Sequence, residues 1–234
     1  VTGSNTGLGQ AVAVALARAG AEVVCAARRD ASETIGLIRD AGGTASGLAL
    51  DLSDPLAARD AFEGAGIDLL VNNAGVIRRA DAVDFTEDDW DAVMDVNLKA
   101  VFFTCQAFAR ALLARGQPGK VVNVASLLSF QGGIRVPSYT ASKHGVAGLT
   151  RLLANEWAGH GINVNAVAPG YVETSNTEAL RADPERSAAI LARIPAGRWA
   201  RPEDIAGAAV FLCAPASDYV HGAVLNVDGG WLAR

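Results

Sequence analysis

A doubly wound parallel α/β sheet with helices on both faces is the fold this chain predicts, and three observations predict it. Short apolar runs alternate with helical patterns along the sequence, the order that lays successive strands side by side through helical crossovers. A glycine-rich turn, TGSNTGLG at residues 2–9, runs straight into an alanine-rich helix, and backbone N–H groups at such a helix start receive phosphate. The 234 residues, 50% of them hydrophobic, suffice for one well-buried unit in the size range where α/β folds stay single. We therefore expect one domain over residues 1–234.

Val1-Thr2-Gly3 reads as the end of a strand. Glycines at 3, 7 and 9 permit a tight turn and a close approach of a pyrophosphate, so Gly3, Asn5, Thr6, Gly7, Leu8 and Gly9 are candidates to cradle a dinucleotide. The strand 23–26 ends at Ala27-Arg28, where nucleotide-binding folds meet the adenosine ribose. No acid follows until Asp30, so the usual device against a ribose 2′-phosphate is missing and Arg28 and Arg29 are placed to pair with one. A dinucleotide that carries this phosphate is favoured on that ground. One without it stays open, because the glycine loop carries no basic residue and Asp30 is near enough to take the ribose hydroxyls.

A helix over 31–40 and a strand over 44–50 lead to Asp51-Leu52. Asp51 either accepts from an adenine amino group or caps a turn. A short helix (56–63) and a strand (68–72) deliver Asn72-Asn73-Ala74-Gly75, whose small side chains let a cofactor ring lie against the backbone at Asn73, Ala74 and Gly75. The longest helical pattern spans 86–115, opened by a Thr86 cap with acids in its first turn and closed at Arg115-Gly116. Asn97 interrupts its apolar middle, which is costly unless the amide is used; a kink or a bound water is expected there.

The strand 120–124 presents Ser126 at its carboxyl end, the edge where open α/β sheets place ligands. A helix over 137–159 follows a proline start and carries Tyr139 and Lys143 four residues apart, on one face and roughly 6 Å apart along the axis. A phenol titrates at about 10, and a nearby ammonium favours the phenolate. Ser126 would hydrogen-bond the oxygen of a carbonyl or alcohol held against that tyrosine. Taken alone, a tyrosine and lysine at this spacing also occur as an ordinary surface pair. A strand at 162–167 ends in Pro169-Gly170-Tyr171-Val172-Glu173-Thr174, and the polar, strandless stretch 175–201 reads as a helical lid over the cleft. A helix (201–213), a strand (223–227) and the tail Asp228-Gly229-Gly230-Trp231-Leu232 complete the chain.

The net charge of -5 is spread without a basic cluster, which argues against a nucleic-acid partner. Cys25, Cys105 and Cys213 lie in apolar contexts without CxxC or histidine-rich spacing, so neither a disulfide framework nor a metal site is expected. No apolar run approaches the roughly 18 residues of a membrane helix, and a cytoplasmic location is expected.

TGSNTGLG, NNAG, Asn97, Ser126, YTASK and the Pro169-Gly170 turn together resemble the short-chain dehydrogenase/reductase family over the whole length. The resemblance implies a Rossmann fold, a nicotinamide cofactor, which the Arg28 and Arg29 reading makes NADP(H) by preference with NAD(H) open, and a catalytic tetrad of Asn97, Ser126, Tyr139 and Lys143, the asparagine holding a water that links the lysine to solvent. Tyr139 would be the acid in reduction and the base in oxidation. Lys143 would also bond the nicotinamide ribose and Thr174 the carboxamide, with Pro169, Gly170 and Val172 along the same cofactor. A family member of this kind is expected to be a homotetramer, and apolar residues on several sides of the two long helices (Val101, Phe102, Phe103; Val146, Leu149, Leu153) suit helices that face both a sheet and a partner.

NNAGVIRR, LLSFQGGIRVPSYTASKHGVAGLTRLLANEW, NVNAVAPGYVETSNT and the tail VDGGWLAR are similar to the family's members that act on keto and hydroxy sugar acids. Other polyols or sugar acids stay open, since a tetrad sets the reaction type and not the substrate; a non-catalytic dinucleotide sensor would have no need of Tyr139 and Lys143. An acidic substrate requires a cation. Arg78 and Arg135 are the candidates, with Arg78 and Gln131 ranked first because their segments leave the carboxyl edge of the sheet.

Overall fold

The strands form where hydrophobic patterning puts them, and a computed structural model describing residues 1–233 shows how they join. β1 (Val23–Ala27) pairs in parallel with β2 (Ala45–Ala49). β3 (Leu69–Asn72), β4 (Gly119–Val124), β5 (Ile162–Pro169) and β6 (Val224–Val227) form a second parallel run in that order. The first residues lie between the two runs: Thr2 N donates to Val71 O at 3.0 Å, Ala26 N to Val1 O at 3.0 Å and Gly3 N to Ala26 O at 2.7 Å. The sheet thus reads β2, β1, residues 1–3, β3, β4, β5, β6.

The helices are α1 (Gly7–Arg18), α2 (Ser32–Asp40), α3 (Pro55–Phe62), α4 (Glu87–Met94), α5 (Ala100–Arg115), α6 (Pro137–Trp157), α7 (Glu178–Ala182), α8 (Pro184–Leu191) and α9 (Pro202–Cys213). Their ends follow local chemistry. Asp54 accepts from Leu56 N and Ala57 N at 3.2 and 3.1 Å ahead of Pro55, which suits a first-turn proline. Thr86 caps α4 through Asp89 N at 3.2 Å, with Glu87, Asp88 and Asp89 in the first turn. Gly116 closes α5 in the left-handed region at φ 61°, where a side chain is disfavoured.

Neighbouring strand residues part to opposite faces, as a period of two demands. Leu70 and Val121 pack with Phe62 of α3, Phe108 and Leu112 of α5 and Leu153 of α6. Val71 and Val122 pack with Val12 and Leu16 of α1, Ile38 of α2 and Ile205 and Leu212 of α9. β5, covered on both sides, is buried at every position. Each such large side chain removed from water stabilises by about 1.5–3 kcal/mol. A third cluster, Leu127, Ile190, Ile194, Trp199 and Trp231, ties α8 and the C-terminal tail to the turn after β4.

One expected element differs. The pattern 86–115 reads as one α-helix, but Asp95–Lys99 is a π-helical turn in which Ala100 N reaches back to Asp95 O. The reason is Asn97, which is fully buried. Its Oδ1 accepts from Val76 N at 2.8 Å and its Nδ2 donates to Val76 O at 2.9 Å, so the amide is satisfied by widening the turn; π turns of this kind occur mostly at functional sites. The run Glu87–Arg115 is long and apolar enough to cross a membrane by length and composition, yet half of that stretch is buried inside the protein, the behaviour of a core helix.

Candidate active site

The carboxyl ends of β1, β3, β4 and β5 and the turn before α1 enclose a cleft of about 380 Å³, within the range of small-molecule sites. Gly3 and Gly7 hold φ of 63° and 57°, and a methyl group on Gly9 would run into the Gly3 carbonyl and the Asn73 amide. That amide donates to Thr2 O at 3.0 Å and Gly3 O at 3.3 Å, knitting the NNAG segment to the glycine turn. The first turn of α1 carries no acid. Bare backbone at a helix N-terminus, filled by any added side chain, fits a pyrophosphate. Gly3, Asn5, Thr6, Gly7, Leu8, Gly9, Arg28, Asp51, Leu52, Asn73, Ala74, Gly75, Pro169, Gly170, Val172 and Thr174 all line this one cleft together with Ser126, Tyr139 and Lys143.

At the end beside β1 and β2, both acids turn inward on their own loops. Asp51 Oδ1 accepts from Ser53 N at 2.9 Å and Ser53 Oγ at 2.7 Å, and Asp30 Oδ1 does the same with Ser32 at 3.1 and 2.6 Å. These hydrogen bonds hold both carboxyls below their ordinary range. Asp51 thus makes the turn contacts that were one of its two expected roles, and it lines the cleft as the other role requires. Arg28 and Arg29 line the cleft as well and make no ion pair among the described residues.

At the other end, the start of α6 lies against the turn after β4. Lys143, buried to 4% exposure, donates from Nζ to Val124 O at 2.6 Å, and its own carbonyl accepts from Ser129 Oγ at 2.6 Å. The ammonium sits 5.6 Å from the centre of the Tyr139 ring. Asn97 stands behind the cleft wall, not in it; its Nδ2 lies 3.5 Å from Ser142 Oγ, which donates to Tyr139 O at 2.8 Å. Ser126, Tyr139 and Lys143 thus face one cleft, with Asn97 reaching them from behind through Ser142.

The expected charge balance is reversed. Burial raises the Tyr139 phenol above its ordinary value, opposed by the Ser126 hydroxyl and the charge of Arg79. Burial likewise lowers the Lys143 ammonium to about 8. Both groups lose water on the same helix face, and Nζ is turned to the Val124 carbonyl, so desolvation outweighs the mutual attraction expected from the spacing.

The residues expected to meet a carboxylate are placed elsewhere. Arg78 Nε lies 3.2 Å from Asp89 of α4, and Arg135 Nε lies 3.0 Å from Asp81. Gln131 Oε1 accepts from Trp231 Nε1 at 3.2 Å, serving as a strut between the turn after β4 and the tail. None of the three lines the cleft. Sequence reasoning also missed Arg79, which donates to Asn176 O at 2.9 Å, and Asn176 itself, which lines the cleft. The stretch 175–201 is helical only in its first part, through a 3-10 turn at Ser175–Thr177 and then α7 and α8 to Leu191; beyond that it runs in turns to Ala200, which bridges in parallel to Val172.

Comparison with known proteins gives consistent results. A family model described as enoyl-(acyl carrier protein) reductase matches residues 3–232. The chain is 55% identical over 239 residues to a 2-dehydro-3-deoxy-D-gluconate 5-dehydrogenase of Dickeya dadantii, covering 100% of this chain and 94% of that protein. A solved Agrobacterium tumefaciens structure with bound NADP, assigned as a 2-deoxy-D-gluconate 3-dehydrogenase, superimposes with a TM-score of 0.98 at 75% identity, over 100% of this chain and 95% of that one. A Burkholderia cenocepacia gluconate 5-dehydrogenase in complex with NADP and tartrate gives a TM-score of 0.94 at 41% identity, over 100% and 94% of the two chains.

Proposed function

Since the chain belongs to the short-chain dehydrogenase/reductase family, we propose that it transfers a hydride between NADP(H) and a keto or hydroxy sugar acid, as a 2-dehydro-3-deoxy-D-gluconate 5-dehydrogenase. Its place would be the cytoplasmic breakdown of uronates such as those of pectin or alginate. The observation that carries this reading is the convergence of Ser126, Tyr139 and Lys143 on the cleft that the glycine cradle opens, joined to full-length relatives of that name at 54 to 56% identity. Gluconate 5-dehydrogenase is the second reading, supported by relatives at 42 and 41% identity and by a solved structure assigned that activity at 54%. Oxidation of a panel of sugar acids, followed by cofactor absorbance, separates them: the leading reading fails if D-gluconate is turned over faster than 2-dehydro-3-deoxy-D-gluconate.

The nicotinamide, when bound, supplies or takes the hydride. The residues handle the proton. A raised phenol keeps Tyr139 protonated at neutral pH, the state needed to donate to a carbonyl oxygen during reduction. Ser126 Oγ accepts from Leu128 N at 3.2 Å, which leaves its own hydrogen free to point at that same oxygen. Lys143 holds its ammonium below about pH 8, so reduction is sustained there and declines above it, while the direction that needs a deprotonated tyrosine gains with rising pH. Asn97 positions the start of α6 through Ser142.

The cofactor assignment rests on Arg28 and Arg29, which face the cleft with Asp30 tied to Ser32. The whole chain acts as one dinucleotide-binding and catalytic domain, with 175–201 as its lid. It assembles as a homotetramer: an apolar groove lined by Met94, Leu98, Phe102, Gly145 and Leu149 runs along α4, α5 and α6, the surface a second copy would cover. A monomeric mass by light scattering at micromolar concentration would refute the assembly.

A further inference from the structure

Three arginines, Arg78, Arg79 and Arg135, stand on the two loops beside the start of α6, and an acidic substrate needs one of them uncommitted. Arg78 is held by Asp89 and Arg135 by Asp81. Arg79 has no carboxylate within ion-pair distance among the described residues. Among the described residues it bonds to a neutral partner, the carbonyl of Asn176 at 2.9 Å; Asn176 lines the cleft, and Arg79 stands just outside that lining.

The backbone on either side of this side chain is anchored independently of it. Ala80 N donates to Arg135 O at 3.2 Å, and Asp81 pairs with the Arg135 side chain. Arg135 itself holds a left-handed φ of 63° as a non-glycine residue, a conformation that persists only where the surroundings impose it. The loop is thus pinned through Ala80 and Asp81 while the Arg79 guanidinium is left with a replaceable acceptor. Its charge already reaches the Tyr139 phenol, whose proton it makes easier to lose, and its acceptor Asn176 lines the same cleft as that phenol.

We infer that Arg79 receives the carboxylate of the substrate, exchanging the neutral Asn176 carbonyl for a charged acceptor, and that it, not Arg78, sets the preference for acids. The inference rests on the keto-acid reading above. A planar guanidinium bonded to one carbonyl oxygen gains charge assistance and a second parallel bond when a carboxylate takes that place. With the carboxylate so held, the far end of a short carbon chain is left to present its carbonyl to Tyr139 and Ser126.

The test compares 2-dehydro-3-deoxy-D-gluconate with its methyl ester, which keeps the reacting hydroxyl and lacks the charge, as substrates of the full chain with NADP+. Arg79→Ala should raise KM for the acid by about tenfold to a hundredfold and leave KM for the ester within about twofold, with Arg79→Lys between the two. An unchanged acid KM overturns the assignment, as does an equal rise for acid and ester, which would make Arg79 a strut for Asn176 alone. An acid-selective loss in Arg78→Ala instead would return the role to Arg78. A wild-type enzyme that oxidises neither compound refutes the keto-acid reading and this assignment with it, whereas turnover of both with no discrimination by Arg79 refutes the assignment alone.

Discussion

At the end of the cleft beside α6, Asn97, Ser142 and Lys143 are all but removed from water and bonded to neighbouring elements, whereas at the end beside β1 and β2 Arg28, Arg29, Asp30 and Asp51 stand exposed on turns that bond mainly to themselves. The difference teaches how the two tasks are divided. Moving a proton at a defined atom requires groups fixed within a fraction of an ångström, and burial among packed partners supplies that rigidity at the expense of desolvating charge. Telling two cofactors apart by one phosphate needs only a net charge in the right place. Exposed arginines provide it, weakly and adjustably.

The largest break in the comparison comes at the buried end. Tyr139→Phe removes the transferable proton and keeps the ring, so kcat should fall by about 10²–10⁴-fold while the dissociation constant for NADPH, read by fluorescence, stays the same. Retention of more than about a tenth of the activity would take Tyr139 out of the chemistry. Lys143 tests the desolvation directly. Its depression from 10.5 to about 8 corresponds to about 3 kcal/mol held against the fold at pH 7, because the folded chain must carry a buried proton. Lys143→Met should therefore lose turnover and yet unfold at higher urea by about 2 kcal/mol, after about 1 kcal/mol is given up with the Val124 hydrogen bond. The sign fixes the pH window: between about pH 8 and pH 10 the unfolded chain keeps a proton that the folded one has shed, so wild-type stability climbs relative to the variant as pH rises. Parallel stability curves would show that burial does not depress Lys143.

The exposed end should yield smaller, selective effects. Arg28→Ala should lower kcat/KM for NADPH relative to NADH by about tenfold to a hundredfold with kcat nearly unchanged; a wild-type preference for NADH, or a ratio that does not move, assigns the 2′-phosphate elsewhere. Least of all, salt between about 0.05 and 0.5 M should raise KM for NADPH a few-fold and leave kcat alone, since screening reaches exposed charges and spares buried ones. Salt effects on kcat of the same size would erase the distinction between the two ends.

Much of this was readable in the chain. Alternating elements, the glycine turn and the serine, tyrosine and lysine spacing each rest on local periodicity or a short motif, and those carry through to the sheet order and to the one cleft that the glycine turn, Ser126, Tyr139 and Lys143 line. What escaped was set by contacts across long stretches of chain. Arg78 and Arg79 are adjacent on a loop, and no period says which one turns to Asp89 and which to Asn176. Gln131 meets a tryptophan a hundred residues away. The direction of the Tyr139 shift depends on how much water the packed helix excludes, which a pair spacing does not contain.

The turn at Asp95–Lys99 places one residue more than an α-helix would use between α4 and α5. A single extra residue advances the helical phase by about 100°, so the two halves of the rod, though nearly continuous, point their faces in different directions: α4 towards α6 and α5 towards α3. Length change here has an unusual meaning. Deleting one residue from this stretch would leave an uninterrupted α-helix and every loop intact, and would act as a twist, turning Phe108 and Leu112 away from the sheet or Asn97 away from Val76, but never allowing both to keep their places.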